Sequence, residues 1–338
     1  MIVATLSDFG GPERFRLEDR PTPQPSAGEI LIRVAAAGIN RADLLQREGR
    51  YPPPPGAPEW PGLEVAGTVE ARGAGVTRWA EGDEVCALLA GGGYADHVTT
   101  PADLALPVPP GVSLVEAAGL VEAVATVWSN LREAGAHPGE VILIHGGSGG
   151  IGTIGIQVAK AHGLQVVVTA RGSERATRCR GLGADMAIDY VAEDFVDIAR
   201  GLGGFDIILD VLGAVYLERN VESLGVGGRL VVIGLQGGGH GTLDLGALQR
   251  KRAKLLATTL RGRPLKEKAS IIADVSENVW PKIPGDIHPV IHATFPLERV
   301  GDAHRLLESG EVFGKVVLTM GDGTTESPTS PANEEKHP

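Results

Sequence analysis

The chain holds only two cysteines in 338 residues, Cys86 and Cys179. Two are too few for a disulfide framework, and neither sits in a C-x-x-C pair, so a reducing compartment, the cytoplasm, is expected. Positive charge is also scarce. Lys and Arg total 31 against 42 Asp and Glu, a net charge of −11. That balance argues against nucleic acid or an anionic membrane as a general partner, and any phosphate site must be local. The segment Met1–Glu13 has no basic stretch leading into an apolar run, so no secretory signal is expected. No run of about 18 apolar residues is evident, so no membrane span is expected either. What is present is an ordinary globular composition, 43% hydrophobic, in a chain long enough for two domains.

The grammar changes along the chain. Up to about residue 120 it is strand- and turn-like, with strand patterns at Glu29–Ile39 (EILIRVAAAGI) and Leu63–Gly73 (LEVAGTVEARG). Between them, Tyr51–Gly62 (YPPPPGAPEWPG) cannot be helical, because proline lacks the N–H donor and its ring clashes with the preceding turn. It reads as a stiff loop of the functional kind. From about residue 123, the apolar runs VILIH, LQVVVTA, DMAIDY, FDIILDV, RLVVIGL and AKLLATTL alternate with helix-like segments. Such alternation predicts βαβ units and a parallel sheet covered on both faces, an α/β protein. After about residue 262 helix, strand, helix and strand follow, and this part is expected to return to the first domain. Residues 321–338 are polar and proline-bearing, and a disordered tail is expected there.

The most informative stretch is Gly139–Lys160, GEVILIHGGSGGIGTIGIQVAK. It contains Gly147-x-Gly149-x-x-Gly152 between a predicted strand and a predicted helix. Glycines there permit a tight turn and let the backbone approach a pyrophosphate, which the free N–H groups and dipole of the helix start favour. The simpler alternative is a βα turn built of small residues. A dinucleotide site next needs an acid about 20 residues on, at the end of the second strand, to hold the ribose 2′-OH. That place reads VVVTARGSER and holds Arg171, Ser173 and Arg175 instead. Two guanidiniums and a hydroxyl suit a 2′-phosphate, so NADPH is expected rather than NADH. The alternative is a pair of solvated arginines at a helix start.

Gly139-Glu140-x-x-Leu143, Gly147-Ser148-Gly149-Gly150-Ile151-Gly152 and Gln157-x-x-Lys160 together resemble the signature of the quinone oxidoreductases. These are the zeta-crystallin-like, zinc-free branch of the medium-chain dehydrogenase/reductase superfamily. Matching pieces run from residue 1 to about 320: Ala37–Asp43 (AGINRAD), Gly62–Gly67 (GLEVAG), Ala125–Trp128 (ATVW), Asp210-x-x-Gly213 and Gly314–Leu318 (GKVVL). The resemblance implies a GroES-like, mainly antiparallel β domain at 1–122 and 262–320, with a Rossmann doubly wound parallel sheet inserted at 123–261. It also implies an active site in the cleft between them. Zinc-dependent relatives carry a cysteine near Asn40 and Gly-His-Glu where this chain has Gly62-Leu63-Glu64. Leucine cannot ligate zinc, and no four-cysteine lobe exists, so a metal-free enzyme is expected.

A quinone is electron-poor and needs little Lewis-acid help. It needs room beside the nicotinamide and a donor for the oxygen that gains charge. Asn40 offers amide donors, Tyr51 a phenol, and Asp43 an acceptor unless protonated. The resemblance puts these three catalytic candidates at the cleft, with Asn40 on the cofactor side as well. Simpler roles stay open: Asn40 tying down a turn, Asp43 capping the next helix, Tyr51 packing on the proline loop. For the cofactor the resemblance adds Thr126, then Leu212, Gly213, Gly234, Leu235 and Gln236 beyond strand ends, Tyr190 toward the adenosine, and Phe313, Gly314 and Lys315 on the returning segment. Leu260-Arg261-Gly262-Arg263 also resembles a family pattern, without an assigned role.

The expected activity is NADPH-dependent quinone reduction. The alternatives are an enone or enoyl-thioester reductase and a non-catalytic NADPH-binding protein. A homodimer is expected as well, because Arg229–Leu235 (RLVVIGL) comes late in the sheet and would form an apolar edge open to pairing.

Overall fold

The computed structural model describes residues 1–321. Of the expected tail at 321–338, residues 322–338 lie outside the described residues. An antiparallel pair, β1 (Ile2–Leu6) and β2 (Phe15–Asp19), opens the chain. There follow β3 (Glu29–Ile39), α1 (Arg41–Arg47), β4 (Glu64–Arg72), β5 (Glu84–Leu88), β6 (His97–Pro101), β7 (Ala105–Pro107), α2 (Leu114–Ala117) and α3 (Val121–Ala134). The alternating region comprises β8 (Val141–Ile144), α4 (Gly150–Ala161), β9 (Gln165–Ala170), α5 (Ser173–Gly181), β10 (Met186–Asp189), α6 (Phe195–Leu202), β11 (Phe205–Asp210), α7 (Leu217–Ser223), β12 (Leu224–Val232), α8 (Leu245–Arg250) and β13 (Lys254–Ala257). The chain then runs through α9 (Leu265–Asn278), β14 (Ile291–Pro296), α10 (Val300–Ser309) and β15 (Lys315–Thr319).

Two sheets result. The first has the order β14-β15-β3-β4-β5-β7, with β6 also on β3, and is antiparallel except for the β14–β15 pair. The returning segment thus joins it directly, Val316 opposite Ile39. The second sheet is all parallel in the order β10-β9-β8-β11-β12-β13. This is the doubly wound 3-2-1-4-5-6 order, and β8 and β11 flank the point where the winding reverses. Together they form the GroES-like plus Rossmann architecture.

The sheets share a core. Ala36, Ala66, Cys86 and Leu88 of the first sheet pack in one continuous cluster with α3 and with Ile142, Ile144 and Val166 of the second. A second cluster on the far face of the first sheet holds Ile30, Ile32, Val34, Val65 and Val85. Covered on both faces, β3 is apolar almost throughout rather than alternating. Both cysteines are buried thiols, and burial pushes the Cys179 thiol up to about 11.

Two expectations are corrected here. Arg229–Leu235 does not form an edge: β12 is paired on both sides, with β11 and with β13. The edge on that side of the sheet is β13, so the argument for a dimer moves to Lys254–Ala257. The sixth strand of a doubly wound sheet ends its half of the winding and is therefore outermost. Second, Leu114–Ala134 is long and apolar enough to cross a bilayer by length and composition alone, contrary to the expectation that nothing would qualify. About two thirds of that apolar window is buried, 67%, and α3 packs into the shared core.

Candidate active site

The glycine turn lies at the C-terminal end of β8. Gly147 donates to the Thr169 carbonyl at 2.9 Å and Gly149 to the Gly146 carbonyl at 3.0 Å. A Cβ on Gly147 would meet Val168 at 2.7 Å, one on Gly150 would meet the Lys315 stem at 2.6 Å, and one on Gly152 would meet the Gly146 oxygen at 2.2 Å. Gly149 differs: its nearest neighbour would be 3.5 Å away, so its missing side chain leaves space over the helix start. Gly149 caps α4 without a side chain. The first-turn N–H groups of Gly150, Ile151 and Gly152 are those a helix leaves without internal partners. The turn therefore fits a pyrophosphate in both shape and charge.

The returning segment closes on this turn. Gly314 donates to the Ser148 carbonyl at 2.9 Å and forms a bridge with Gly149. Phe313 is buried, with the Arg178 guanidinium 3.8 Å above its ring centroid. Arg178 was not singled out from the sequence, where it is one of several arginines on a polar helix.

At the end of β9, Arg171 and Ser173 are exposed and Arg175 is half-buried. Neither Arg171 nor Arg175 makes a hydrogen bond or ion pair among the described residues. The nearest strand-end acid, Asp189, accepts from the Gly172 N–H at 2.8 Å and the Val191 N–H at 3.1 Å. It is occupied as a loop brace. Burial first, and then the charges of Arg178 and Arg175, lower the pKa of His292, a sign of the positive potential there. Tyr190 beside them is 44% exposed. Across the switch point, Asp210 accepts from Leu212 and Gly213 at 2.7 and 3.0 Å. That brace fixes the loop after β11, and Gln236 ties the loop after β12 to the Val211 carbonyl at 3.2 Å. A Cβ on Gly234 would stand 2.7 Å from the Val211 oxygen, so these two loops are in close contact. Leu235 is exposed.

Beneath the turn, where the sheets meet, lies a polar cluster. Lys315 Nζ donates to Asn40 Oδ1 at 2.6 Å and to Glu64 Oε1 at 2.5 Å. Asn40 Nδ2 donates to Glu64 Oε1 at 3.0 Å, and the Glu122 N–H to Glu64 Oε2 at 3.0 Å. The Thr126 hydroxyl reaches Glu122 Oε1 at 3.0 Å. The structure thus brings together Asn40, Thr126 and Lys315, three residues expected from sequence, through Glu64 and Glu122, which were missed as participants. Lys315 was expected to face the cofactor; its stem lies against Gly150, but its amine points to Asn40 and Glu64. Asp43 is buried next to this cluster, accepting from the Asn40 N–H at 2.7 Å and the Gly62 N–H at 3.0 Å. Burial raises its pKa to about 6 against the pull of those two donors.

Tyr51 stands apart from that cluster. Its hydroxyl lies 3.5 Å from Thr259 Oγ1, and the Arg261 guanidinium sits 5.2 Å from its ring centroid. Arg261 is buried, donating to Ala90 O and Gln46 Oε1 at 2.7 Å each and to Tyr51 O at 3.4 Å. That gives the Leu260–Arg263 pattern a role: Arg261 pins the turn after β13 to α1 and to the start of the proline loop, and stands over the Tyr51 ring. Leu63 is buried, and no group of three or more His, Cys, Asp or Glu positioned to hold a metal occurs among the described residues.

A GroES-like sheet joined to a Rossmann sheet, with a glycine turn at their junction, defines a nicotinamide-dependent medium-chain dehydrogenase/reductase. Residues 26–110 match the alcohol dehydrogenase GroES-like domain, and residues 150–275 match the zinc-binding dehydrogenase family. The chain belongs to the quinone oxidoreductase, zeta-crystallin-like branch of that superfamily. It is 31% identical to rat quinone oxidoreductase over 95% of this chain and 98% of that one. Among solved structures it is similar to Escherichia coli quinone oxidoreductase complexed with NADPH (TM-score 0.85, 29% identity, covering 94% of this chain and 100% of that one). It is also similar to an NAD-dependent alcohol dehydrogenase (0.84, 30%, 95% and 100%) and to the CurK enoyl reductase (0.81, 26%, 95% and 99%).

Proposed function

We propose that the protein is a cytoplasmic, metal-free, NADPH-dependent quinone reductase. The observation that carries this reading is the junction itself: a turn shaped for a pyrophosphate, with two arginines at its adenosine end that have no partner among the described residues, opens beside hydrogen-bond donors, and Leu63 stands where zinc-dependent relatives carry a ligand. A bound reduced nicotinamide supplies the hydride. The chain supplies everything else. Gly147–Gly152 and the segment Phe313–Gly314 hold the diphosphate end, and Arg171, Ser173 and Arg175 hold a 2′-phosphate. Tyr51, with the Arg261 guanidinium over its ring, donates a hydrogen bond to a carbonyl oxygen of the quinone.

The test is NADPH oxidation against ortho- and para-quinones, enals and enoyl thioesters, with and without a radical trap. Quinones are expected to turn over fastest. An enoyl-thioester preference would instead support the second reading, favoured by the similarity to CurK, and no turnover at all would support a binding protein. Tyr51→Phe removes one donor and little volume. A lost oxyanion donor lowers turnover by about 10²–10³, and with an intrinsically reactive quinone the expected loss is about tenfold, at unchanged NADPH affinity. Unchanged turnover on every accepted substrate would reduce Tyr51 to a packing residue.

Purified protein is expected to hold well under one zinc per chain by elemental analysis, and chelators should leave its turnover unchanged. The reason is Leu63 where a zinc ligand would stand. Stoichiometric zinc would overturn the metal-free mechanism.

A further inference from the structure

The acidic groups at the junction are not equally satisfied. Glu64 accepts from an ammonium, an amide and a backbone N–H. Asp43 accepts from two backbone N–H groups. The Glu122 side chain, half-buried, has one hydrogen-bonding partner among the described residues, the Thr126 hydroxyl. Glu64 lies alongside Glu122 and already holds Lys315, the ammonium in this cluster. Asp43 adds negative charge from α1. Arg261 and Lys268 line the same small cavity as Glu122, together with Leu63 and Leu260. Neither cation makes a hydrogen bond or ion pair to Glu122. A carboxyl taken from water beside another carboxylate favours its neutral form. Burial first and Glu64 second raise the Glu122 pKa to about 7.

We propose that Glu122 is the proton donor of the cleft, acting through the hydroxyl of Thr126. This rests on the reading of the chain as an NADPH-dependent reductase. When protonated, Glu122 gives its O–H to Thr126 Oγ1, which frees the Thr126 hydrogen for a substrate oxygen. The hydride of the proposed activity brings two electrons to the quinone and leaves one oxygen anionic. The Thr126 O–H breaks as a new O–H forms on that oxygen, and the Glu122 O–H breaks to restore the hydroxyl. Glu122 is left as a carboxylate and is reprotonated by water at its cavity, which is about large enough for a single water. Quinone, hydride and proton thus balance as hydroquinone.

Glu122→Gln keeps the shape and the contact with Thr126 but has no proton to give. Its turnover with accepted quinones is expected to fall about 10²-fold. Wild-type turnover should decline above about pH 7, where Glu122 ionises, and that limb should vanish in the variant. Thr126→Val should reproduce the loss and Thr126→Ser should restore activity. Two readouts need no turnover. Infrared spectra of the wild type at neutral pH should contain a protonated-carboxyl stretch that Glu122→Gln lacks. A carboxyl whose folded pKa is raised loses stability as pH rises from its unfolded to its folded value, so the Tm of Glu122→Gln should gain on wild type between about pH 4.5 and about pH 7. Wild-type turnover with an unchanged pH profile in Glu122→Gln, or no infrared difference, overturns the relay while leaving the reductase reading intact. A wild type that reduces none of the carbonyls overturns that reading, and the relay with it.

Discussion

Lys315→Met is expected to destabilise the fold by about 3–5 kcal/mol, the range for removing one partner of a buried ion pair. Lys315 is 3% exposed and Glu64 is fully buried. Their contact ties β15, the last strand, to β4 across β3, whose end carries Asn40. Methionine keeps much of the stem that packs against Gly119 and Gly150, so the loss isolates the charge rather than the packing. Without the ammonium, Glu64 keeps only the Asn40 amide and the Glu122 N–H against the cost of desolvation. The measurement is the urea midpoint of wild type, Lys315→Met, Glu64→Gln and the double variant. Removing both charges should recover much of the loss, because the cost is an uncompensated charge rather than a missing bond. If both single variants were as stable as wild type, the junction would be hydrated and the pair solvent-screened.

This cluster also shows where sequence stops being informative. The glycine turn was readable because its parts are contiguous: a strand, spaced glycines and a helix within residues 139–160. The alternating runs gave the parallel sheet for the same reason, since each strand and helix is written locally. Glu64 and Lys315 stand 251 residues apart, and nothing local says that the starts of β4 and β15 converge. In the sequence Glu64 looked like the remainder of a lost metal motif, and its partner became visible only when the returning strand paired with β3. Glu122 was hidden differently. On a helix that reads as core, one acid looks like a solvated exception, and only the neighbouring Glu64 gives it chemical meaning. The misplaced edge has a topological cause. AKLLATTL was recognised as an apolar run, but the outermost position belongs to the last strand wound, β13, rather than to the more apolar β12. Arg261 was matched to a pattern without a role, because its acceptors come from Gln46, Tyr51 and Ala90 on the other side of the chain.

Arg171→Ala with Arg175→Ala is expected to lower NADPH affinity by about 10²–10⁴-fold and to leave NADH affinity nearly unchanged. Hydrogen bonds to charged groups contribute about 1.5–3 kcal/mol each. At 1.4 kcal/mol per tenfold, two such contacts span that range. Geometry supports assigning the effect to these two residues. They flank Gly172, whose φ of +85° turns the chain from β9 into α5, and they have no protein partner among the described residues. Arg178, one turn further along α5, is already placed over Phe313 and is expected to matter less for the 2′-phosphate. Asp189 cannot take the role of a ribose-binding acid while it holds the Gly172 and Val191 N–H groups. Because Arg171 is exposed, salt should screen its share, and the difference between the two cofactors should narrow as ionic strength rises. Fluorescence titration of wild type and double variant with both dinucleotides, at low and high salt, decides the matter. Equal affinity of the wild type for NADPH and NADH would mean that both arginines serve the solvent, and the 2′-phosphate reading would fall while the pyrophosphate cradle stood. An equal loss for both cofactors in the double variant would instead place the arginines against the shared diphosphate.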